Sequence, residues 1–400
     1  MRLDHLPGAP HLTYCTNIHA GESWADIAQS LALHLPKIKT AAAADRPMGL
    51  GLRLSGIAAD TLIEPAVLDD FKAFLGANDA YVFTINAFPY GPFHGVRVKQ
   101  EVYQPDWSTD ERLRFTNTAA DILAALLPDG LTGSVSTVPG TFKPLAAEPR
   151  MVGAMTRRYV GHAAHLVQLE RSTGKTIALA IEPEPCCFLE TIEETIRYFQ
   201  DHLFGDAAVA QLVDATGLDA QGAKAALRRH LGVCYDVCHA AVEFEDPRGS
   251  LADLADAGIE ISKLQLSSAL AVPALDASTE ALLEPFDEGV YLHQVVERQH
   301  GRLTRHVDLQ DAFTALRKGE AGGEWRVHCH VPVFLPELDR LGTTQGFLVE
   351  ILDECREREV SPHLEVETYT WDVLPPAYAG EDKAASIARE LNWALDRLRA

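Results

Sequence analysis

Short apolar runs alternate with amphipathic helical patterns along most of this 400-residue chain. Near-continuous apolar strands that are separated by helices are typical of a parallel sheet with helices covering its faces. Eight strand–helix repeats of this kind would close an α/β barrel, but the sequence contains nine strand-like runs, one more than a barrel needs. The nine runs are 11–16, 48–54, 80–85, 133–138, 176–181, 231–235, 261–266, 325–331 and 363–368.

The extra run points to an insertion late in the chain. After Leu270, strand-like runs at 290–296 and 302–307 flank His300-Gly301, a turn signal that predicts a hairpin. The run at 325–331 belongs either to this insertion or to the barrel. We therefore predict one decorated α/β domain over residues 1–400, a (β/α)8 TIM barrel with insertions at about 186–230 and 270–330.

Helical patterns are clearest at 23–37, 190–204 and 336–360. Ser23 followed three residues later by Asp26 predicts a cap at the start of the first of these helices. Between Pro185 and Leu231 the sequence contains two helical patterns, and the later one, from Gln221 onward, is rich in alanine. These patterns predict that the first insertion is helical.

The charge balance narrows the possible partners. The chain has 35 Lys and Arg residues against 57 Asp and Glu residues, a net charge of −22. A chain this acidic repels phosphate backbones and anionic lipid surfaces, so nucleic acid is disfavoured as a partner. No apolar run is long enough to span a membrane. The seven cysteines, two of them adjacent, and an N-terminus without a signal-peptide pattern favour a cytoplasmic location with reduced thiols.

Carboxylates close two of the strand-like runs. Glu182 follows the run 176–181, Asp236 follows the run 231–235, and His239 lies three residues after Asp236. A carboxylate at the end of a buried strand is costly to bury unless a cation or another partner neutralises it. These positions suggest a shared divalent metal ion. The alternative is that both carboxylates are structural and bind loop amides or arginines.

Three sequence features at the ends of predicted strands resemble a known superfamily. The segment Ile181-Glu182-Pro183-Glu184-Pro185 resembles the fifth-strand Glu-Pro-Lys-Pro of xylose isomerase. Asp236-x-x-His239 is similar to the sixth-strand pair of the sugar isomerase/epimerase and endonuclease IV superfamily, and Glu367 is similar to its final metal-binding glutamate. Longer segments, at 14–24, 330–334 and 366–371, resemble the EboE family of so-called metabolite traffic proteins over essentially the full length.

The resemblance implies a divalent ion, Mn²⁺, Zn²⁺, Co²⁺ or Mg²⁺, bound by Glu182, Asp236 and Glu367. Epimerases of the superfamily usually carry a further metal-binding histidine on the seventh strand, where this chain has Gln265. A glutamine oxygen suits Mg²⁺ or Mn²⁺ better than Zn²⁺.

The imidazole that is missing from the seventh strand has two other candidate sources. His328 and His330 alternate onto one face if their segment is a strand, so either of them could complete the metal site. Glu184 stands where xylose isomerase has its catalytic lysine, so the resemblance does not extend to a hydride shift on free xylose.

Polar and aromatic residues follow the early strands, at the barrel face where active sites are built. These residues predict that the open end of the barrel binds a sugar or another polyol. The alternative, for each residue, is that it belongs to an ordinary polar loop. A long loop with His94, Lys99 and Tyr103 is a candidate lid. The residues proposed to bind the substrate are Asn17, His19, Arg53, Asn86, Tyr90, Glu184, His293 and Trp371.

The leading functional hypothesis is a metal-dependent isomerase or epimerase that acts on a sugar, sugar phosphate or cyclitol. The reaction would transfer a proton through an enediolate, with Glu182, Glu367 and His239 as the catalytic residues. One alternative is a metal-dependent hydrolase or nuclease of the endonuclease IV type, which the paired histidines favour and the net charge opposes. Another is a non-catalytic metabolite-binding or traffic protein.

Overall fold

A computed structural model describes residues 1–92, 97–146, 148–287, 289–372, 374 and 382–399. Its strands are β1 (His11–Tyr14), β2 (Met48–Arg53), β3 (Ala80–Asn86), β4 (Gly133–Thr137), β5 (Ile177–Ile181), β6 (Leu231–Asp236), β7 (Ile261–Leu266), β8 (Leu270–Val272), β9 (Val295–Gln299), β10 (Arg302–His306), β11 (Glu324–Val327), β12 (Glu337–Leu338), β13 (Leu341–Thr343) and β14 (His363–Val366).

Its helices pack around the sheet. They are α1 (Trp24–Ala42), α2 (Gly56–Leu62), α3 (Pro65–Ala77), α4 (Asp110–Leu126), α5 (Pro149–Thr173), α6 (Ile192–Tyr198), α7 (Asp206–Thr216), α8 (Ala220–His230), α9 (Val237–Val242), α10 (Pro247–Asp256), α11 (Thr279–Leu283), α12 (Leu309–Arg317), α13 (Gln345–Glu357) and α14 (Lys383–Arg399). None of the described helices is both long and apolar enough to cross a bilayer.

Eight parallel strands form the barrel, in the order β1-β14-β7-β6-β5-β4-β3-β2. The last two neighbours, β1 and β2, meet through a single parallel bridge between Cys15 and Gly51. The Thr13 hydroxyl strengthens this seam, because its Oγ1 donates to the carbonyl of Gly49 at 2.8 Å and accepts from the amide of Gly51 at 3.0 Å. The predicted (β/α)8 barrel is confirmed.

A second, antiparallel sheet holds the remaining strands, in the order β10-β9-β11-β8-β13-β12. The predicted hairpin is present as β9 and β10, with His300 and Gly301 in left-handed conformations at its turn. Of the run at 325–331, residues up to Val327 lie in this sheet as part of β11 (Glu324–Val327), so the run lies outside the barrel. His328 and His330 follow β11, so the predicted strand does not extend to them. The insertion extends to Thr343, beyond its predicted end. That the whole chain forms a single domain stays a prediction.

Two helix predictions differ from the structure in their extent. The pattern at 336–360 contains β12 and β13 before α13 begins at Gln345, because residues 337–343 pair with one another and with β8. The helix prediction is therefore wrong over its first nine residues. The helical insertion after Pro185 contains three helices, α6 to α8. The capping box at the start of α1 is present as predicted, with Ser23 and Asp26 bonded to each other's backbone amides.

A buried ion pair crosses the barrel interior. Lys263 on β7 and Glu365 on β14 are fully inaccessible to solvent, and Lys263 Nζ lies 2.6 Å from Glu365 Oε1. The Lys263 ammonium also lies 3.2 Å from Ser136 Oγ. The glycine at position 51 makes room for this pair, because a Cβ there would lie 1.8 Å from Glu365 Oε2. A small residue on β2 is therefore a condition for placing a carboxylate inside the barrel.

We expect Gly51→Ala to lower the free energy of unfolding by roughly 1–3 kcal/mol, the usual cost of overpacking a core. The added methyl group displaces Glu365 from Lys263, and a displaced buried charge adds to that cost. Urea denaturation of both proteins measures the difference. The matched control is Gly76→Ala in α3, where a Cβ meets no atom within 4 Å. Equal stabilities of the Gly51 and Gly76 variants would contradict the proposed contact.

Candidate metal-binding site

A cavity opens at the carboxyl ends of the barrel strands. Polar side chains and histidines from the segments that follow β5, β6 and β11 occupy one part of its wall, and apolar side chains occupy the rest. The lining residues are Asn17, Asn86, Phe88, Pro89, Lys99, Val102, Tyr103, Glu182, Glu184, Tyr291, Leu292, His239, His328, His330, Glu367 and Tyr369.

Asp236 ends β6 beside this cavity and is 2% exposed. Its Oδ1 accepts three hydrogen bonds, from the amides of Cys238 and His239 at 2.7 and 3.2 Å and from Ser267 Oγ at 2.6 Å. Its Oδ2 has no hydrogen-bond partner among the described residues, and the same holds for Glu182 Oε2. Buried carboxylate oxygens without donors are costly in a folded protein, and a bound cation removes that cost.

Glu367 follows β14 and is held by two amides. Its Oε1 accepts from Asn17 Nδ2 at 2.7 Å and from Asn86 Nδ2 at 3.2 Å. Its Oε2 lies 3.9 Å from His330 Nδ1. The two asparagines, at the ends of the first and third strand regions, were predicted to bind the substrate, and the structure places both of them beside Glu367 and in the cavity wall.

The carboxylates at this mouth repel one another. Burial raises the pKa of Glu182 well above its usual range, and the charges of Glu367 and Asp236 raise it further. Burial and the charge of Asp236 also raise the pKa of Glu367 well above its usual range. The buried ammonium of Lys263 lowers the pKa of both glutamates, but by less than the other effects raise it. Removing several negative charges from water in one place favours either protonation or a bound cation.

His330 reaches the carboxylates from the segment that follows β11. Its Nδ1 donates to the backbone carbonyl of Glu367 at 3.0 Å, and its Nε2 lies 3.9 Å from Asp236 Oδ2. A carbonyl oxygen can only accept, so the neutral ring carries its hydrogen on Nδ1 and exposes a lone pair on Nε2. This arrangement is the usual one for a metal-binding histidine.

His239 and His328 are oriented in the same way. His239 Nδ1 bonds to the carbonyl of Pro183 at 2.9 Å, and His328 Nδ1 bonds to Gln294 Oε1 at 2.8 Å. The two Nε2 atoms face each other at 3.1 Å. Both rings are almost fully buried.

The ligand atoms fall into overlapping groups that could hold a divalent ion. Those of Asp236, His239 and His330 lie within 4.8 Å of one another, and so do those of Glu184, His239 and His328. Mixed oxygen and imidazole donors suit Zn²⁺, Mn²⁺ and Co²⁺. The donor set and the two carboxylate oxygens without partners therefore fit a divalent cation.

Glu184 belongs to a hydrogen-bond network that sequence reasoning captured only in part. Its Oε1 accepts from Tyr103 Oη at 2.6 Å and from Gln294 Nε2 at 3.2 Å. Burial raises the pKa of this carboxyl to about 7. Tyr103 was expected only in a lid, and Gln294 was missed altogether, because it lies next to His293 in an apolar run where nothing marks which polar residue faces the site.

Some predicted residues take other positions. Gln265 Oε1 accepts from the thiol of Cys234 at 3.3 Å, on the neighbouring strand, and Gln265 is not among the described residues that line the cavity. His19 Nε2 lies 3.1 Å from Tyr14 Oη, and its ring stacks on His34. The structure therefore places the Gln265 and His19 side chains in packing roles outside the cavity.

The remaining predicted substrate-binding side chains also bond elsewhere among the described residues. Tyr90 Oη donates to Glu111 at 2.8 Å, and Trp371 Nε1 donates to Glu390 at 3.2 Å. His293 is buried, and its backbone amide donates to Asp308 Oδ1 at 3.1 Å, a contact that does not involve its imidazole. Lys99 and Tyr103 of the candidate lid line the cavity, whereas His94 lies outside the described residues.

Arg53 ties loops together at the barrel mouth. Its guanidinium donates to the carbonyls of Gly21 and Gly91, both at 3.0 Å, and to Glu22 Oε2 at 3.2 Å. The side chain is 2% exposed and is absent from the described cavity lining. These contacts indicate that Arg53 positions the loops at the barrel mouth. The sequence-based prediction was that its side chain contacts the substrate.

Solved structures that are similar to this chain include xylose isomerase-like barrel proteins. A xylose isomerase domain protein from Planctomyces limnophilus aligns with a TM-score of 0.50 and 13% identity, over 98% of this chain and 96% of that chain. A D-tagatose 3-epimerase-like protein aligns with a TM-score of 0.49 and 11% identity, over 97% and 98%. A zinc-bound IolI protein aligns with a TM-score of 0.44 and 13% identity, also over 97% and 98%.

The Planctomyces protein shares the fold of this chain. No family model matches the sequence, and no curated protein matches it. The specific resemblance to the EboE family stays a prediction.

We expect Arg53→Lys to lower the free energy of unfolding by roughly 1–3 kcal/mol, since an ammonium cannot reach both carbonyls and Glu22 together. Thermal or urea unfolding measures this loss. The control is Arg46→Lys, at a partly exposed arginine that pairs with the exposed Asp45, where the change should stay within about 0.5 kcal/mol. Arg53→Lys with unchanged stability would contradict the loop-positioning role of this side chain.

Proposed function

We propose that this protein is a metal-dependent isomerase or epimerase that transfers a proton next to a carbonyl group of a sugar, sugar phosphate or cyclitol. The observation that carries the proposal is that the buried carboxylates of Glu182 and Glu367 line one cavity, with Asp236 beside them. Two carboxylates at one cavity can remove and return a proton on a substrate bound between them.

Four residues would hold the metal ion in this proposal, namely Glu182, Asp236, Glu367 and His330. The carboxylate oxygens without donors and the Nε2 lone pair of His330 support this set. When bound, a divalent ion supplies a Lewis acid that polarises a substrate carbonyl. The sequence-based choice of Gln265 as a further ligand gains no support from its contacts, whereas His330 gains support from them.

The environment of the two glutamates suits proton transfer. A general base must lie within reach of the proton that it removes, and both carboxyls line the same cavity. Asn17 and Asn86 keep Glu367 in one orientation by bonding to its Oε1. His239 is fixed by its bond to Pro183 and is the candidate for a further proton donor or ligand.

The apolar wall complements this polar part. Phe88, Leu292 and Tyr369 line the cavity and exclude water from around the reacting groups, which strengthens electrostatic interactions there. Lys99 is the cationic residue of the described lining, and its Nζ lies 2.5 Å from Asp308 Oδ2. A phosphorylated substrate would therefore have to compete with Asp308 for this lysine.

Hydrolysis of the endonuclease IV type is the second candidate. The three clustered histidines favour it, since they give the site a nitrogen-rich metal environment. The net charge of −22 and the carboxylates at the mouth oppose it, because both repel a nucleic acid backbone. The non-catalytic carrier role rests on the EboE resemblance. An assay of abasic-site cleavage separates the nuclease from the other candidates.

Metal binding is tested by thermal stability. Protein treated with a chelator should unfold at higher temperature after addition of Mn²⁺, Zn²⁺ or Co²⁺, with about 2.7 kcal/mol gained at one hundred times the dissociation constant. Asp236→Asn should lose most of this gain, whereas the exposed Asp69→Asn in α3 should keep it. Freshly purified protein without metal, and no gain with any of the three ions, would count decisively against the site.

Catalysis is tested by substitution of Glu367. Glutamine keeps the size of the side chain but cannot accept a proton near neutral pH, so Glu367→Gln should slow turnover by about 10²–10⁴-fold. The measurement is solvent-deuterium incorporation into a panel of ketoses, sugar phosphates and cyclitol ketones, with the exposed Glu64→Gln as the control. Wild-type protein that exchanges no proton with any metal would overturn the isomerase proposal and favour the carrier.

A further inference from the structure

The cavity offers an anionic ligand a single ammonium group. Lys99 is the only lysine or arginine in the described lining, and its Nζ lies 2.5 Å from Asp308 Oδ2. The two side chains are 11% and 17% exposed, so the ion pair is largely shielded from water. The residues outside the described ranges include no lysine and no arginine. An anion that approaches Lys99 in this cavity therefore also meets the carboxylate of Asp308.

Backbone groups hold the two partners of this ion pair. Asp308 precedes α12, and its Oδ1 accepts from the amides of Leu309 and His293, both at 3.1 Å. On the other side, the amide of Lys99 donates to the carbonyl of Val290 at 3.0 Å. Rotation of the Asp308 carboxylate away from Lys99 would break both of its bonds to amides. The structure therefore fixes this negative charge beside the ammonium.

A second carboxylate adds to the negative charge at this end of the cavity. The ligand atoms of Asp287, His293 and Asp308 lie within 4.8 Å of one another. Burial lowers the pKa of His293 to about 4, so its ring contributes no positive charge near neutral pH. Two carboxylates therefore surround one ammonium, and Lys99 provides no surplus of positive charge for a phosphate group.

Three hydrogen-bond donors of the lining are also committed to carboxylates. Tyr103 Oη donates to Glu184 at 2.6 Å, and the amides of Asn17 and Asn86 donate to Glu367 at 2.7 and 3.2 Å. Asn17 Oδ1, in contrast, is buried and has no hydrogen-bond partner among the described residues. This wall offers acceptors to a ligand. A hydroxyl group supplies the matching donors, whereas a phosphate dianion supplies acceptors alone.

We propose that the cavity selects an uncharged polyol, a sugar or cyclitol without a phosphate or carboxylate group, and that Asp308 is the residue that excludes phosphorylated forms. A phosphate group beside Lys99 would lie against the Asp308 carboxylate, and repulsion between these like charges disfavours the complex. The inference narrows the substrate class of the proposed function, and it rests on that function only in taking this cavity as the substrate site.

The experiment removes the charge of Asp308 and keeps its shape. Asparagine retains an oxygen for the amides of Leu309 and His293 and caps helices as well as aspartate does. Asp308→Asn should therefore bind inorganic phosphate roughly tenfold more tightly than the wild type, as measured by isothermal titration calorimetry of the full chain. The matched control is Asp311→Asn, which removes one exposed charge from the first turn of the same helix and should leave phosphate binding unchanged.

A second substitution locates the gain. Lys99→Met in the Asp308→Asn background should abolish the added phosphate affinity. The proposal is overturned by a gain that survives this change, by equal phosphate affinities of Asp308→Asn and Asp311→Asn, or by wild-type protein that binds phosphate as tightly as Asp308→Asn. If circular dichroism shows that Asp308→Asn does not fold, Asp308→Ser replaces it, since serine also caps helices and carries no charge.

Proton exchange gives a second readout. In the solvent-deuterium assay, the wild type should label unphosphorylated sugars and cyclitol ketones and leave their phosphate esters unlabelled. Faster labelling of a phosphate ester than of its parent sugar would contradict the proposed selectivity. If no compound is labelled with any metal, the isomerase proposal fails, whereas the phosphate titration still decides the role of Asp308.

Discussion

The cost of burying several carboxylates at one end of a barrel is the constraint on which the rest of the site depends. Glu182, Asp236 and Glu367 approach one another where water is largely excluded, and their mutual repulsion raises the pKa of both glutamates. Amides from Asn17 and Asn86 and the hydroxyl of Ser267 satisfy some of the oxygens, and other oxygens keep no donor in the described structure. Protonation of a carboxyl or a bound divalent cation would remove the remaining cost.

The inserted sheet completes what the barrel begins. Barrel strands supply oxygen donors, whereas the segment after β11 supplies His328 and His330, and each of these rings is oriented by a carbonyl oxygen. Tyr291 and Leu292 of the same insertion close the apolar side of the cavity. Deeper in the barrel, the Lys263 ammonium lowers the pKa of both glutamates, whereas the charge of its partner Glu365 raises that of Glu367. Gly51 leaves the space that this pair occupies. Folding of the insertion and assembly of the site are therefore coupled.

Sequence patterns identified the elements well where one signal dominated. Buried parallel strands read as continuous apolar runs, and all eight barrel strands lie within or beside the predicted runs. The helix predicted from 336 began too early, because local periodicity cannot register that residues 337–343 pair with one another and with β8. The same limit left the run at 325–331 undecided between barrel and insertion, since pairing partners far along the chain decide that choice.

For the site, the sequence by itself determined which carboxylates end the strands, because strand ends and side-chain period follow from local pattern. Glu182 and Asp236 were found in that way, whereas Glu367 was found through its resemblance to the final metal-binding glutamate of a known superfamily. Only the tertiary structure decided which imidazoles meet them and which polar side chains turn away: His330 reaches Asp236, whereas Gln265 bonds to Cys234 and Arg53 to loop carbonyls. Nor could any local pattern show that Gln294 orients His328. The direction of a polar side chain depends on the nearest partner in space, and in these cases that partner lies tens of residues away along the chain.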